Sequence, residues 1–430
     1  MKSNKALKLL AILLSAVILL TSLAGCIPGG ETSGGDVTES GYLNPDVPEF
    51  MVGGDVSTLL ALDNSGVKFY DFDGKERDAL EIMQDAGVNT IRVRIWNDPY
   101  DGNGNCYGAG VCDVATAVEI GRRAAELGMA VTVDFHYSDY WADPGKQTEP
   151  KAWQGMTLEE KAQALYDFTV DALEQFREAG VYVSMVQMGN EITGFFCGER
   201  DWKSICTLLE ASSRAIHDFD PTIMRAVHFS DPHRHDYPGF AAQLEKYGIE
   251  YEIFGSSYYA FWHGTIENLQ NQLQSVADQY GKKVMVMETA WAFTYDEGDA
   301  TPNVVYEGRE WLDVSAYPIS VEGQKQALID VIEGAAQLGD ICLGVLYWEP
   351  AWIPVRSLIG LSGAEYDQAY AQCQEAWLTN GAGWANQCSA DYDLSVGDTY
   401  GGSQWECLAL FDFDGHALDS LNAFNEAVTD

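Results

Sequence analysis

The sequence predicts a single α/β domain built as a (β/α)8 TIM barrel, and three observations carry the prediction. From residue 50 onward, short β-rich runs alternate with stretches of helical periodicity in eight units. Gly87, Gly128, Gly180, Gly248, Gly281 and Gly339 punctuate the helix ends, where backbone that tolerates positive φ stops a helix. Polar residues gather at the carboxyl ends of the strand runs, where barrels of this kind carry their chemistry. A doubly wound open sheet is the rival, but no GxGxxG turn follows the first strand.

Taken in order, strands are expected at 50–57, 90–97, 130–138, 184–191, 223–229, 252–259, 283–291 and 343–352. Amphipathic stretches between them, at 113–127, 157–179, 266–280 and 321–338, read as the outer helices. Strand alternation places Arg92, Arg94 and Trp96 on one face, opposite Ile91, Val93 and Ile95, which should meet the helices.

Composition narrows the function. Lys and Arg number 25 against 65 Asp and Glu, a formal charge of −40, so phosphate backbones and acidic membrane surfaces repel the chain and nucleic acid is excluded as a partner. With 47% hydrophobic and 12% aromatic residues, the chain is folded rather than a solvating acidic tail.

Residues 1–25 stand apart from that fold. Lys2, Lys5 and Lys8 precede an apolar run from Leu9 to Leu20, and small residues follow, which reads as a secretory signal too short to span a bilayer comfortably. Leu23-Ala24-Gly25-Cys26 resembles the bacterial lipoprotein box, with Cys26 as the lipidated first residue. Residues 26–49 read as a flexible Gly/Ser/acid-rich tether. An exported location, lipid-anchored or secreted, follows as an expectation. Losing the leader removes three lysines and no acid, leaving −43.

Setting Cys26 aside leaves eight of the nine cysteines, an even number for an oxidising compartment. Sequence proximity pairs Cys106 with Cys112, Cys197 with Cys206 and Cys373 with Cys388, leaving Cys342 for Cys407. No CxxC or Cys/His spacing points to zinc.

The predicted strand ends collect carboxylates, amides and indoles in Arg92–Asp98, Asp134–Asp139, Gln187–Glu191, Ser257–Tyr259, Glu288–Trp291 and Tyr347–Trp352. Glu191 after strand four and Glu288 after strand seven face one another across the rim. Two carboxyls on one cleft are what glycosidic cleavage needs, one to protonate the leaving oxygen and the other to attack or to activate water.

Several of these segments together resemble glycoside hydrolase family 53, the endo-β-1,4-galactanases, within the clan A retaining glycosidases. They are Asp134-Phe135-His136-Tyr137-Ser138-Asp139 with Trp141 to Gln147, Arg94 to Tyr100, Val186 to Ile192, Tyr258 to Gly264, and Tyr347 to Trp352. The resemblance runs from about Gly53 to Phe424.

The resemblance implies that Glu191 is the general acid/base and Glu288 the nucleophile. It also implies that Asn190 binds the sugar 2-hydroxyl, that Arg94 (rather than Arg92) and Tyr258 attend Glu288, and that Trp348 floors the cleaved subsite. His136, Asp139, Trp141 and Trp291 are candidate substrate contacts beside core readings. Asp55 either binds sugar or braces the barrel, and His228, His233 and His235 read as solvated loop histidines. Glu297, Asp299, Thr301 and Asn303 resemble a calcium loop of some bacterial members, with Thr301 departing from their pattern, so the segment is either a structural calcium site or a plain acidic loop, beside a chemistry that needs no cofactor.

Residues 361–404 form a long insertion after strand eight whose Trp377, Trp384 and Tyr392 are either added sugar platforms or packing. The residues by themselves imply a retaining glycosidase, and the resemblance implies an endo-β-1,4-galactanase acting on neutral galactan or arabinogalactan side chains of pectin. The alternatives are another clan A endo-glycanase, a β-mannanase or endoglucanase, or a non-catalytic glycan-binding lipoprotein.

Overall fold

Eight parallel strands close on themselves in the computed structural model, which describes residues 41–309, 312–393 and 401–428. They are β1 (Met51–Asp55), β2 (Thr90–Ile95), β3 (Ala130–Phe135), β4 (Val183–Met188), β5 (Met224–Ser230), β6 (Ile253–Ser257), β7 (Lys283–Thr289) and β8 (Cys342–Trp348). Each pairs with its neighbour in sequence, and β1 closes the ring by pairing with both β2 and β8. That closure is tight. A Cβ on Gly53 would lie 1.7 Å from the Thr90 carbonyl oxygen, so only glycine fits where β1 is squeezed between its partners.

Each predicted helix forms, with ends set by local chemistry. Helix α1 (Val114–Glu126) starts at Asp113, whose carboxylate accepts from Thr116 N, and buries Ala117, Ile120, Gly121 and Ala124 at helical spacing. Helix α2 (Leu158–Glu178) opens on a capping box between Thr157 and Glu160. Helices α3 (Ile266–Tyr280) and α4 (Val321–Ala336) are capped by Thr265 and Ser320. The glycines named above all take positive φ, as their helix-end positions require.

The barrel interior is divided by depth. Met51, Met185, Ala226, Ile253, Met285, Met287 and Leu346 fill one apolar cluster inside the ring, where unbranched thioethers suit an irregular space. Polar side chains occupy the positions above it, toward the carboxyl ends of the strands. The larger apolar core lies between strands and helices.

Three expectations need revision or lie beyond view. The leader, Cys26 and the tether to residue 40 lie outside the described residues, as do 394–400 of the insertion. The tether ends earlier than residue 49, because Asn44 is 2% exposed and bonds Met129 O, Tyr182 O and Tyr182 N ahead of β3 and β4.

The proximity pairing of cysteines is not what the fold presents. All eight described cysteines are free thiols. Cys342 opens β8 at the amino-terminal end of the barrel, whereas Cys407 sits by Phe293, past the opposite end of β7. Cys388 lies instead beside Cys106, its sulfur 3.3 Å from the Cys106 carbonyl oxygen, and Cys112 faces Ala109 O. Cys206 is buried on its helix, Cys197 is buried in the loop before it, and Cys373 faces Arg356 O.

Candidate active site

The upper layer of the barrel is an ion network centred on two buried arginines. Arg92 donates to Asp55 at 3.0 Å, to Gln187 at 3.1 Å and to Glu288 at 2.5 Å, and lies 3.7 Å from Asp134. Arg94 bonds Asp55 and Glu349, each at 2.7 Å. Four carboxyls thus surround two guanidiniums. Although burial opposes it, Arg94 and Arg92 draw the Asp55 carboxyl below its ordinary range. Burial pushes Glu349 up to about 8 against the pull of Arg94.

Glu288 ends β7 with both oxygens occupied. Arg92 serves Oε1, Tyr259 donates its hydroxyl to Oε2 at 2.8 Å, and Ser257 Oγ stands 3.5 Å from the same oxygen. Glu191 sits just beyond β4, in a turn that throws its side chain into the cleft. Gly189 has φ +89°, and a Cβ there would meet Phe196 and Ile192 within 2.7 Å. Glu191 itself holds φ +45°, and Tyr137, Asp231 and Glu349, just past β3, β5 and β8, share the left-handed region. Such strain costs about 1–3 kcal/mol per residue and marks where a scaffold over-determines its rim. Burial, then the charge of Glu288, raises the Glu191 carboxyl well above its usual range, which suits an acid waiting to protonate.

Asn190 is held between these two. Its Oδ1 accepts from Gln187 at 3.0 Å and lies 2.9 Å from His228 Nδ1, while Nδ2 donates to Ala142 O at 2.8 Å and keeps a second N–H for a ligand. His228 Nδ1 also faces the Glu191 backbone N–H at 3.3 Å, and its Nε2 lies 2.9 Å from Ser257 Oγ. Burial, then Arg92, keeps His228 from charging.

The cleft above has a volume of about 320 Å³ and is lined by Glu191, Glu288, Asn190, Arg94 and His136 with a wall of indoles. Trp141 stacks on Trp384 at 4.6 Å, and Trp348 meets Trp405 edge-on at 4.6 Å. A wider groove of about 570 Å³, by Lys68, Phe293 and Phe413, holds neither glutamate.

Of the residues expected at the site, Glu191, Glu288, Asn190, His136, Trp141, Trp348 and Arg94 line this cleft. The partner of Glu288 is nevertheless Arg92, not Arg94. Both arginines face inward as alternation requires, but the one nearer the rim is taken by Asp55 and Glu349, and the deeper one crosses the barrel. Tyr258 is likewise displaced by Tyr259. The odd positions of β6 face inward from Ile253 through Ser257, which carries Tyr259 to Glu288, and the Tyr258 hydroxyl goes to Gly264 O.

Asp55 is a brace. Asp139 anchors a loop, accepting from Asp98 N and Lys151 N, and Trp291 is core, its indole N–H on Pro318 O. His136 accepts from Trp96 and from Ala142 N at Nδ1 and sets its Nε2 3.2 Å from Asp134 Oδ2, so it is held in the wall as well as lining it.

The expected calcium loop comes together in part. Glu297 is exposed, and among the described residues no group of three His, Cys, Asp or Glu side chains is placed to hold a metal. Asp299 and Asn303 are buried, however, and Glu406 joins Asp299 from beyond the insertion, its Oε1 accepting from Gly298 N and Asp299 N. Burial pushes Asp299 to about 7, no described cation pairs with either carboxyl, and Asn303 Oδ1 and Glu406 Oε2 have no partner.

The sequence reading missed Tyr259, Gln187, His228 and the wall residues Trp262 and Trp405. His228 was the more readable, since it occupies an inward position of β5 rather than a loop. In the insertion, Trp384 lines the cleft, Trp377 packs inside, and the Tyr392 hydroxyl pins the segment to Thr148 O and Glu149 O.

Comparison with known proteins agrees with this geometry. The family model for glycosyl hydrolase family 53 matches residues 51–424. An endo-β-1,4-galactanase of Bacillus subtilis (strain 168) is 47% identical over 381 residues, covering 88% of this chain and 86% of its own. An arabinogalactan endo-β-1,4-galactanase of Humicola insolens is 30% identical, covering 70% and 89%. Among solved structures, the GH53 catalytic domain of Ignisphaera aggregans superposes with a TM-score of 0.76 at 35% identity, covering 89% of this chain and 98% of that one.

Proposed function

The chain belongs to glycosyl hydrolase family 53, and from that premise we infer that it is a retaining endo-β-1,4-galactanase. One observation carries the mechanism: a buried carboxyl raised by burial and by its neighbour, Glu191, shares a cleft with Glu288, whose two oxygens are held by Arg92 and Tyr259.

A galactan strand lies along the indole wall, its ring face on Trp348. Glu191 gives its proton to the glycosidic oxygen as Glu288 forms a bond to the anomeric carbon, and the leaving chain departs with that proton. With Glu288 esterified, the charge opposing Glu191 is gone and its pKa falls. As a carboxylate it takes a proton from water, whose oxygen attacks the same carbon and frees Glu288. Two inversions return the β configuration. The chain's own carboxyls supply all of this chemistry, with no cofactor.

The substrate reading is tested by a reducing-sugar assay on galactan, mannan and cellulose with proton NMR of the first products. Release of β-anomers from galactan is the expected result. Hydrolysis of mannan but not galactan, or α-anomers first, would sink it. The neutral galactan side chain also suits a surface of charge −40, which repels an acidic pectin backbone.

Two further elements belong to this proposal. The lipobox-like Leu23 to Cys26 supports an exported protein anchored at Cys26. Mass analysis of the mature N-terminus should find a diacylglyceryl thioether there, and an unmodified terminus downstream would exclude it. Asp299, Glu406 and Asn303 support a structural calcium, since hard oxygen donors without a counter-charge suit that ion. Chelation should lower Tm and added calcium restore it, while a Tm indifferent to both removes calcium from the account.

A further inference from the structure

Glu349 touches neither glutamate of the cleft, yet it is buried at the end of β8 with φ +53°. A left-handed glutamate persists only where its surroundings compel it. Its Oε2 accepts from Thr58 Oγ1 at 2.7 Å and its Oε1 meets Arg94 Nη1 at 2.7 Å. Arg94 is gripped from the other side by Asp55 at 2.7 Å, with Ala109 O at 3.3 Å. The guanidinium so fixed stands 4.8 Å from the centroid of Trp141 and 5.4 Å from that of Trp348, within cation–π range of both. These two indoles carry the wall, one stacked on Trp384 and the other against Trp405.

We infer that Glu349 is a positioning residue for substrate binding: with Thr58 behind it, it clamps Arg94 between Trp141 and Trp348 and so fixes the aromatic platform on which the sugar rests. The inference rests on the galactanase reading for its substrate. The clamp itself is a property of the free protein. Arg94 is thereby given a task distinct from that of Arg92, which serves the nucleophile, although the two share Asp55. Asp55 joins the paired tasks through one carboxylate, Oδ2 to Arg92 and Oδ1 to Arg94.

The test uses Thr58→Val and Glu349→Gln in the full chain. Thr58→Val removes one hydrogen bond to the clamp and keeps the side-chain shape, so KM for galactan should rise about threefold with kcat little changed, a step of about 0.65 kcal/mol. Glu349→Gln replaces the carboxyl that meets Arg94 by an amide, and KM should rise about tenfold or more, again with the larger part of the effect in KM. In both variants the near-UV circular dichroism of the coupled indoles should weaken without substrate present.

A role in stability alone would lower Tm but leave KM and the indole signal as in the wild type, and that result overturns the inference. A loss confined to kcat overturns it too. Should Glu349→Gln fail to fold, Thr58→Val decides by the same readouts. If the wild type proves inactive on galactan, the functional reading fails, and the indole signal still decides whether the clamp exists.

Discussion

Replacing Glu288 by Ala lowers kcat on galactan by on the order of 10⁵-fold, the scale on which loss of a covalent nucleophile acts. Added azide then enters the vacated space and yields a galactosyl azide of inverted configuration, because one displacement replaces two. Glu191→Ala is the matching experiment. Its loss is smaller, about 10²- to 10⁴-fold, and shrinks for an activated aryl leaving group that needs no proton. Azide rescue of this variant gives the retained configuration. Exchanged stereochemical outcomes between the two variants would reverse the assignment of acid and nucleophile.

The pH profile follows from the same pair. The Glu191 carboxyl is raised by burial and by the Glu288 charge, so the free enzyme keeps the acid protonated above the ordinary range, and kcat/KM falls as pH rises through it. That alkaline limb is expected to be absent in Glu191→Ala assayed on the activated substrate. A raised folded pKa also means that the stability contributed by protonated Glu191 is full below the unfolded value and is lost as pH climbs through the folded one.

Arg92→Ala produces the second large effect, on stability and rate together. The guanidinium is fully buried against Asp55, Asp134 and Glu288. Removing it leaves buried carboxylates without their counter-charge, a loss of about 3–5 kcal/mol. Activity falls at least about 100-fold, since Glu288 loses the donor on Oε1. Arg92→Lys recovers little, because one ammonium cannot span Asp55 and Glu288 as the planar fork does. Arg94→Ala should act chiefly on KM. If it reduced kcat more than Arg92→Ala, the division of labour between the two arginines would be wrong.

Much of the fold was readable because its signals are local. All eight strands form within a few residues of their expected limits, since apolar runs bounded by glycines and capped helices depend on near neighbours along the chain. Glu191 and Glu288 were readable for the same reason, each lying next to a strand end. Other members of the site were not. Tyr259 took the place expected of Tyr258 because the inward face of β6 falls on its odd positions, Ile253 and Ser257 among them, and His228 became a buried link between Asn190 and Ser257 because it lies on the inward face of β5, within the strand rather than in a loop. Trp384 reached the cleft wall because Tyr392 pins the insertion to the loop after β3.

By itself, then, the sequence determined the barrel, the rim that carries the chemistry and the two carboxyls on it, all of them consequences of periodicity and of residues close in the chain. The tertiary structure alone decided which arginine bonds Glu288 and which lies against Trp141 and Trp348. Arg92 and Glu288 are 196 residues apart, and their pairing depends on ring closure and on depth within the barrel. Alternation along one strand fixes the face a side chain takes, but depth is set by the stagger of all eight strands at once.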